Sequence, residues 1–221
     1  MSDLIPAKRA VIFGARRDGS AKVLLDIIRL CGEYEIVAFL DDYAGVWGQD
    51  LEGVPIVGGR EALRRLRQEG VERVAFAIGD NRLREQALDA VRAVGLLPLT
   101  AVHPRAVVAR GVQVGEGSWI AAAAVVNPGA TIDAGAVINT AATVDHDCRI
   151  GAFANISPGC HLSGRTIVER YAFLGTGVIT LPDAHIGEGA TVGAGAVVLK
   201  QVAAGSTVVG VPARILGCPA T

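Results

Sequence analysis

Branched apolar residues recur every six positions over almost half of the chain. From Val102 onwards, each of seventeen consecutive hexads begins with valine, isoleucine or leucine, except for the one that begins with Thr180. The fifth residue of a hexad is never larger than valine, and no residue is inserted or lost between 102 and 203. A period of six fits neither a helix nor a simple alternating strand, and it is typical of a hexapeptide β-helix.

Each hexad of this repeat predicts one short strand followed by one corner. Three hexads would make one triangular coil, so that residues three hexads apart stack on coils about 4.8 Å apart. The branched first residue fills the interior, because β-branched side chains suit a buried pleated surface, and the small fifth residue also points inward. We therefore expect a parallel β-helix over residues 102–221, in which each coil buries its surface against its neighbours.

Residues 1–101 follow a different pattern, in which short apolar strands alternate with amphipathic helices. Strands are predicted at 10–13, 35–40, 71–78 and 96–101, helices after the first strand and at 60–69 and 81–94, and a loop at 43–59. The apolar side of the first helix is predicted to carry Val23, Leu24, Ile27, Ile28 and Cys31. This alternation favours a small parallel α/β sheet, which is a Rossmann-like domain.

Ligands of such sheets bind at the carboxyl ends of the strands, where this chain carries suitable residues. Gly14 allows a close turn before a helix whose N-terminus favours a phosphate. Asp41 and Asp42 can accept hydrogen bonds from a ribose or a base, and Gly79 and Asn81 flank the same crevice. Ordinary loops also carry such residues, and the full G-x-G-x-x-G pattern is absent, which argues against a bound dinucleotide.

One histidine has the neighbours that acid–base chemistry requires. His146 lies between Asp145 and Asp147 at a predicted corner, from which its side chain can point outward. A carboxylate beside an imidazole can orient it and raise its basicity. Three hexads further on, Gly164 leaves space beside the ring, although a solvated histidine between two acids fits the sequence equally well. The other histidines are interpreted as structural, the last of them having no acidic neighbour: His103, His161 and His185.

Composition excludes several classes of function. The chain has 21 Lys and Arg against 22 Asp and Glu, which gives no argument for binding nucleic acid or an anionic membrane. No signal peptide or membrane-spanning run is expected, so we predict a cytoplasmic protein. The four cysteines lack metal-type spacing, and no close histidine pair favours a zinc site of the carbonic-anhydrase type. Cys148 and Cys160 fall at inward positions and are predicted to be small buried hydrophobic residues.

The hexads, followed by Gly-Val-Pro-Ala-Arg at 210–214, resemble the left-handed β-helix acyltransferases. Over residues 9–216 the chain is similar to the bacterial sugar O-acyltransferase and nucleotide-amino-sugar N-acetyltransferase group, in motifs at 14–19, 41–42, 78–81, 103–104, 138–140, 144–148 and 157–159. This resemblance implies a left-handed coil and a homotrimer with active sites between subunits. It also implies, without a metal, transfer of an acetyl group from acetyl-CoA to the 4-amino group of a nucleotide-linked deoxysugar.

The resemblance also implies a role for each matching residue. His146 matches the general base, and Asp147 matches the acid that strengthens it. The residues implied to bind the nucleotide sugar are Gly14, Arg16, Arg17, Asp18, Asp41, Asp42, Gly79, Asn81 and Asn139. The residues implied to bind acetyl-CoA are Asn155, Gly164, Thr176 and Ala194, and the backbone N–H of Gly164 is a candidate oxyanion donor.

Two stretches depart from the pattern of the group. Arg16-Arg17-Asp18 stands where relatives usually carry Gly-His, so the preferred base and sugar do not follow from the resemblance. Asn155 stands where relatives often have a histidine, and an asparagine cannot titrate near neutral pH. Two alternatives stay open: O-acetylation of sialic acid or a related sugar by the same histidine, and a non-catalytic β-helix scaffold.

Overall fold

The computed structural model of the chain describes residues 8–15 and 19–216. It divides into two compact units, with the division between Pro104 and Arg105. The described residues do not include Arg16, Arg17 and Asp18, which are discussed above, or Cys218, the last of the four cysteines.

The N-terminal unit is built around a parallel sheet with helical connections. In chain order its elements are β1 (Lys8–Phe13), α1 (Ser20–Cys31), β2 (Tyr34–Leu40), β3 (Asp50–Leu51), β4 (Val54–Pro55), α2 (Leu63–Gln68), β5 (Val71–Phe76), α3 (Asn81–Ala93), β6 (Leu97–Pro98) and β7 (Ala101–Val102). The four-stranded sheet has the order β2-β1-β5-β6. All of its pairs are parallel, which confirms the predicted Rossmann-like class.

Helix α1 packs on this sheet through a narrower stripe than the sequence predicts. Leu24 and Ile28 lie at the centre of the buried stripe, together with Leu25 and Ile27. The prediction is wrong for Val23, which is 37% exposed because it lies off this stripe, and for Cys31, which is exposed in the last helical turn.

The predicted loop at 43–59 contains a short antiparallel hairpin formed by β3 and β4. Its turn residues, Glu52 and Gly53, both have left-handed φ values, 53° and 78°, as a two-residue hairpin turn requires. Leu51, Val54 and Ile56 bury their side chains. The two strands are only two residues long, too short to show alternation in the sequence.

The C-terminal unit is a parallel β-solenoid with three faces, each a column of stacked two- or three-residue strands. The first face contains Trp119–Ile120, Val137–Ile138, Asn155–Ile156, Phe173–Leu174, Thr191–Val192, Thr207–Val209 and, antiparallel to the last of these, Arg214–Ile215. The second face contains Val107–Val108, Val125–Val126, Thr143–Val144, His161–Leu162, Ile179–Thr180 and Val197–Val198. The third face contains Gln113–Val114, Thr131–Ile132, Arg149–Ile150, Ile167–Val168, His185–Ile186 and Gln201–Val202.

The register of the solenoid confirms the repeat of six. Stacked partners are three hexads apart, as in the pairs Thr131 with Arg149 and Val137 with Asn155. Every first-position residue from Ile120 to Val198 is buried, and so is every fifth-position residue from Ser118 to Val202. Val108 and Val114 are only half-buried, because their coil has a solenoid coil on one side only.

Thr180, the polar residue among the first positions, is buried in a hydrogen-bonded network inside the solenoid. Its Oγ1 accepts from the Ser163 backbone N–H at 3.0 Å and lies 2.9 Å from Thr166 Oγ1. The Ser163 hydroxyl donates to the Thr180 carbonyl at 2.7 Å. The hydroxyls of Ser163, Thr166 and Thr180 therefore all have hydrogen-bond partners within this network.

Thr180→Val is expected to lower the free energy of unfolding by about 1–3 kcal/mol, because it leaves the Ser163 N–H without an acceptor and removes one of the two partners of the Thr166 hydroxyl, which also donates to the Ser163 carbonyl at 2.6 Å. Adding Thr166→Val should cost less than the sum of the two single changes, since two apolar groups of the same shape then face each other. Denaturant unfolding of the two single variants and the double variant checks this. Strict additivity would contradict the network.

Candidate active site

His146 lies on the edge of the solenoid between the second and third faces. This edge, called the His146 edge below, consists of the stacked turns 109–112, 127–130, 145–148, 163–166, 181–184 and 199–200. Backbone bonds hold the turns in register: Asp147 N donates to the Pro128 carbonyl at 3.1 Å and Arg165 N to the His146 carbonyl at 2.9 Å. A side chain on one turn therefore faces the corresponding residues of the turns before and after it.

Asp147 contacts the imidazole directly. Its Oδ2 lies 2.9 Å from His146 Nδ1. Asp147 has a left-handed φ of 59°, and a Cβ on Gly129 would come within 2.3 Å of Asp147 Oδ1, so the glycine makes room for the carboxylate. An Nδ1–H that donates to Asp147 leaves Nε2 as the basic nitrogen of the neutral ring.

Asp145 holds the backbone of the turn instead of the ring. Its Oδ1 accepts from the His146 backbone N–H at 2.8 Å and from Asn127 Nδ2 at 2.8 Å. These hydrogen bonds, the one from the His146 backbone first, lower the pKa of Asp145. The two carboxylates beside His146 thus differ in geometry, because one fixes the turn and the other meets the imidazole.

The imidazole rests on Gly164 of the next turn. A Cβ on Gly164 would lie 2.4 Å from His146 Nε2 and 2.6 Å from Cε1, so only a glycine leaves the ring its position. The sequence predicts space here, and the structure shows that the ring fills it. The Gly164 backbone N–H also contributes, as the smallest of the causes, to the lowered pKa of Asp145.

The two solenoid cysteines are unsuited to nucleophilic catalysis. Both are buried. Burial raises the pKa of the Cys148 thiol and raises that of Cys160 to about 11. At neutral pH both are thiols, whereas the thiolate is the nucleophile.

The residues implied to bind acetyl-CoA lie in different places within one chain. Gly164 is on the His146 edge, but Thr176 and Ala194 are on turns between the first and second faces, as is Asn139, which is implied to bind the sugar nucleotide. Asn155 lies on a first-face strand, where it is 9% exposed and donates from Nδ2 to the Ser157 hydroxyl at 2.9 Å. One chain alone therefore does not bring this set to His146.

Two other solenoid histidines have partners of their own. His185 Nε2 lies 2.7 Å from Glu169 Oε1, which corrects the interpretation that His185 lacks an acidic neighbour. Glu169 is 16 residues earlier in the sequence, and stacking of coils brings the two together. His161 Nδ1 lies 3.0 Å from the Thr143 hydroxyl on an exposed part of the second face.

The N-terminal unit has a crevice at the carboxyl ends of β1, β2 and β5. This crevice is a cavity of about 170 Å³, and the residues that line it are Phe13, Gly14, Asp41, Asp42, Arg60, Ala77, Ile78, Gly79, Asp80 and Leu83. It brings together Gly14, Asp41, Asp42 and Gly79 of the sequence-predicted set. A Cβ on Gly14 would come within 2.4 Å of the Ala77 carbonyl oxygen, so a glycine is required where the strands end.

The two aspartates after β2 are held by the protein itself. Asp41 is 5% exposed, and it accepts from the Ala15 N–H through Oδ2 and from the Tyr43 N–H through Oδ1, both at 2.9 Å. Asp42 Oδ2 accepts from Arg60 Nε at 3.0 Å. Partial burial raises the pKa of Asp42, but the hydrogen bonds and charge of Arg60 outweigh it and lower that pKa overall. Both aspartates thus shape the crevice.

The loop after β5 presents Asp80, not Asn81, to the crevice. Asp80 caps helix α3, its Oδ1 accepting from the N–H groups of Arg82 and Leu83 at 2.9 and 2.8 Å. Asn81 is 9% exposed and accepts through Oδ1 from Nη2 of the buried Arg84. The Arg84 Nη1 donates to the Ile78 carbonyl at 2.7 Å, and burial lowers the pKa of Arg84 to about 10.

Arg60, Asp80 and Arg84 are contributors to the crevice that sequence reasoning missed. An acid directly after a strand and before a helix is an N-cap signal, which could have found Asp80. Nothing in the local sequence marks Arg60, because its partner Asp42 is 18 residues away.

Within residues 8–15 and 19–216, no cluster of three or more His, Cys, Asp or Glu could hold a metal ion. In that same part of the chain, no helix is both long and apolar enough to cross a membrane.

Comparison with known proteins adds a family assignment. Residues 9–91 match the family described as PglD N-terminal domain. A search of curated protein sequences found no match.

Solved structures resemble the chain along almost its whole length. The acetyltransferase domain of PglB from Neisseria gonorrhoeae FA1090, in complex with acetyl coenzyme A, is 37% identical with a TM-score of 0.88, covering 95% of this chain and 100% of that one. PerB from Caulobacter crescentus, in complex with CoA and GDP-perosamine, is 40% identical with a TM-score of 0.89, covering 97% and 99%. WeeI from Acinetobacter baumannii AYE is 31% identical with a TM-score of 0.81, covering 94% and 99%.

These matches extend over both units of the chain. The chain belongs to the bacterial sugar O-acyltransferase and nucleotide-amino-sugar N-acetyltransferase family, whose members are hexapeptide-repeat, left-handed β-helix acyltransferases.

Proposed function

We propose that the protein transfers the acetyl group of acetyl-CoA to the amino group of a nucleotide-linked 4-amino-deoxysugar. The observation that carries the proposal is the geometry of His146, whose Nδ1 is engaged by Asp147 and whose Nε2 lies at the exposed edge against Gly164. The complex of PerB with CoA and GDP-perosamine supports a sugar nucleotide as the acceptor. The complex of PglB with acetyl coenzyme A supports the donor.

In the proposed reaction the neutral amine attacks the thioester carbonyl, forming the C–N bond. His146 Nε2 takes the proton of the attacking amine, and Asp147 stabilises the imidazolium that results. The C–S bond then breaks, and the imidazolium returns the proton to the sulfur of the departing CoA. No covalent acyl-enzyme is required, in agreement with the raised thiol pKa values of Cys148 and Cys160.

The crevice is the proposed site of the nucleotide part of the acceptor. Asp41 is held by a backbone N–H group and Asp42 by Arg60, so the crevice is already formed without a ligand. Gly79 lines the cavity, and a Cβ there would meet no atom within 4 Å, which leaves the surface open to a planar base or a ribose. Asn81 is assigned to support of the loop through Arg84.

A homotrimer is part of the proposal. Asn139, Thr176 and Ala194 lie on a different edge from His146 within one chain, so a site that uses both sets needs a second subunit. A trimer with an active site between neighbouring subunits would meet this requirement. Sedimentation or light scattering of the purified protein gives the number of subunits.

A panel of acceptors tests the reaction. Thiol release from acetyl-CoA is followed with UDP-, dTDP- and GDP-linked 4-amino-deoxysugars and with free sialic acid. Turnover on one amino-sugar nucleotide is expected. Turnover only on sialic acid would replace the proposal by O-acetylation, and a lack of acetyl-CoA binding would favour a non-catalytic scaffold.

The crevice is tested with Gly79→Leu on the active acceptor. Because the new side chain would occupy the open surface of the crevice, KM for the sugar nucleotide should rise at least tenfold, while KM for acetyl-CoA stays unchanged.

A further inference from the structure

A row of charged residues continues along the His146 edge beyond the catalytic pair. Gly129, Asp147, Arg165 and Asp183 occupy equivalent positions on four successive turns, and all four have left-handed φ values between 59° and 78°. Because their backbones stack, each side chain faces the next one in the row. Asp147 therefore has two neighbours that could pair with it, the imidazole of its own turn and the guanidinium of Arg165.

The structure shows which pairing is made. Arg165 donates from Nε to Asp183 Oδ1 at 2.6 Å and from Nη2 to Asp183 Oδ2 at 2.8 Å, a two-bond arrangement that fixes the direction of the guanidinium. Asp147 keeps its Oδ2 on His146 Nδ1. These bonds with Asp183 raise the pKa of Arg165, and the charge of Asp147 contributes a smaller part of the same rise, so Arg165 lies within the field of Asp147.

We propose that Asp183 is a positioning residue, which holds the Arg165 guanidinium away from Asp147 and so reserves the Asp147 carboxylate for His146. The proposal rests on the general-base role of His146. Without Asp183, Arg165 would have Asp147 as its nearest partner in the row. A guanidinium there would compete for the carboxylate and place a positive charge beside the imidazole, which disfavours the imidazolium that catalysis requires.

Other charged groups near His146 do not provide this control. Asp145 on the same turn is engaged by the His146 backbone and by Asn127. The preceding turn carries Asn127, Pro128 and Gly129, none of them charged, and Cys148 is a buried thiol. The outer turns of the same edge carry Arg110 and Lys200, two and three coils away from Asp147. Among the described residues of the edge, Arg165 is thus the cation on the turn that stacks directly on Asp147, and Asp183 sets its placement.

The expected effect is moderate in size, because the Arg165 and Asp183 side chains are 52% and 65% exposed and water screens their charges. In Asp183→Asn, the pKa of His146 should fall, because the released guanidinium adds a positive charge beside the ring. The acid limb of the pH profile of kcat/KM should move down with it, and kcat on the plateau should fall several-fold as Asp147 leaves the ring. In Arg165→Gln, the unpaired Asp183 should instead raise the pKa of His146.

The double variant Arg165→Gln/Asp183→Asn makes the test decisive. If the proposal is correct, the double variant should return the pKa of His146 to its value in the original protein and bring kcat within about twofold of the original, because neither charge remains. A purely structural ion pair would leave the double variant no better than Asp183→Asn. Glu52→Gln, which breaks the similarly exposed Lys22–Glu52 pair of the N-terminal unit, is the control and should change neither quantity.

The pKa of His146 can be measured without enzymatic activity, by NMR titration of the histidine ring signals in the original protein and in each variant. His146→Ala assigns the signal among the four histidines. An unchanged pKa in Asp183→Asn, or a double variant that does not recover it, would overturn the inference even if the proposed acetyl transfer is correct. If no acceptor is turned over, the proposed function fails, while the titration still decides the role of Asp183.

Discussion

His146→Ala is expected to lower kcat by about 10²–10⁴-fold while the protein keeps its fold and subunit number, because general-base assistance typically contributes that much. The ring is half-exposed at the edge, with 49% of its side chain accessible. Its removal leaves no buried cavity, so little loss of stability should accompany the loss of rate. Steady-state kinetics with the active acceptor, together with thermal unfolding, measure both quantities.

Two further variants make this expectation specific. Asp147→Asn should lower kcat less than the loss of the ring does, because it removes the charge that stabilises the imidazolium but leaves the base in place. His185→Gln disrupts another histidine–carboxylate pair of the same solenoid, at 2.7 Å from Glu169, and should leave turnover unchanged. Near-full activity of a folded His146→Ala protein would remove His146 from the mechanism.

Gly164→Ala is expected to lower kcat nearly as much as His146→Ala does, although it adds one methyl group and changes no functional side chain. The new Cβ would need the position that is now 2.4 Å from His146 Nε2, so the imidazole must move by an ångström or more. A displacement of that size can reduce catalysis about 10²-fold. We expect kcat to fall by this order, with KM for acetyl-CoA altered as well, since the donor must lie against the same ring.

The loss should come without unfolding, which separates misplacement from instability. The corresponding third position of other hexads is already alanine at Ala122, Ala134, Ala152 and Ala194, so the solenoid accepts a methyl group there. Ala152→Gly, on a turn between the third and first faces, is the matched control and should leave kcat unchanged. A Gly164→Ala protein with normal kinetics would show that the ring can move without consequence, and the proposed geometry would then be wrong.

The sequence predicts the solenoid well because its repeat is local and strictly periodic. Every first-position residue from Ile120 to Val198 is buried, as the pattern of six requires, and even Thr180 keeps its inward place through a hydrogen-bonded network. The predicted strands β1, β2 and β5 also form one parallel sheet. The periodicity of α1 could not show that Val23 lies outside the buried stripe. The width of that stripe depends on how the helix packs against the rest of the unit, which the pattern of apolar residues does not reveal.

The candidate site was predictable in its residues but not in its bonds. The Asp145-His146-Asp147 triplet marks the dyad, yet both carboxylates adjoin the histidine in sequence, and only the folded turn shows that Asp147 meets the ring while Asp145 meets the backbone. Likewise, Asp41 and Asp42 are a visible pair after a strand, while their commitment to Ala15, Tyr43 and Arg60 depends on contacts between distant segments. The role of Glu169 beside His185 is hidden for the same reason.

The last coil of the solenoid ends in a reversal of chain direction. Arg214–Ile215 pairs antiparallel with Thr207–Val209, and residues 210 and 213 bond to Val197 on the second face. A column of parallel strands without such a reversal would present unpaired N–H and C=O groups to any further chain, the arrangement from which fibres grow. Truncation before residue 207 would therefore expose templating edges on two faces, and we expect the shortened protein to self-associate end to end into oligomers larger than a discrete assembly.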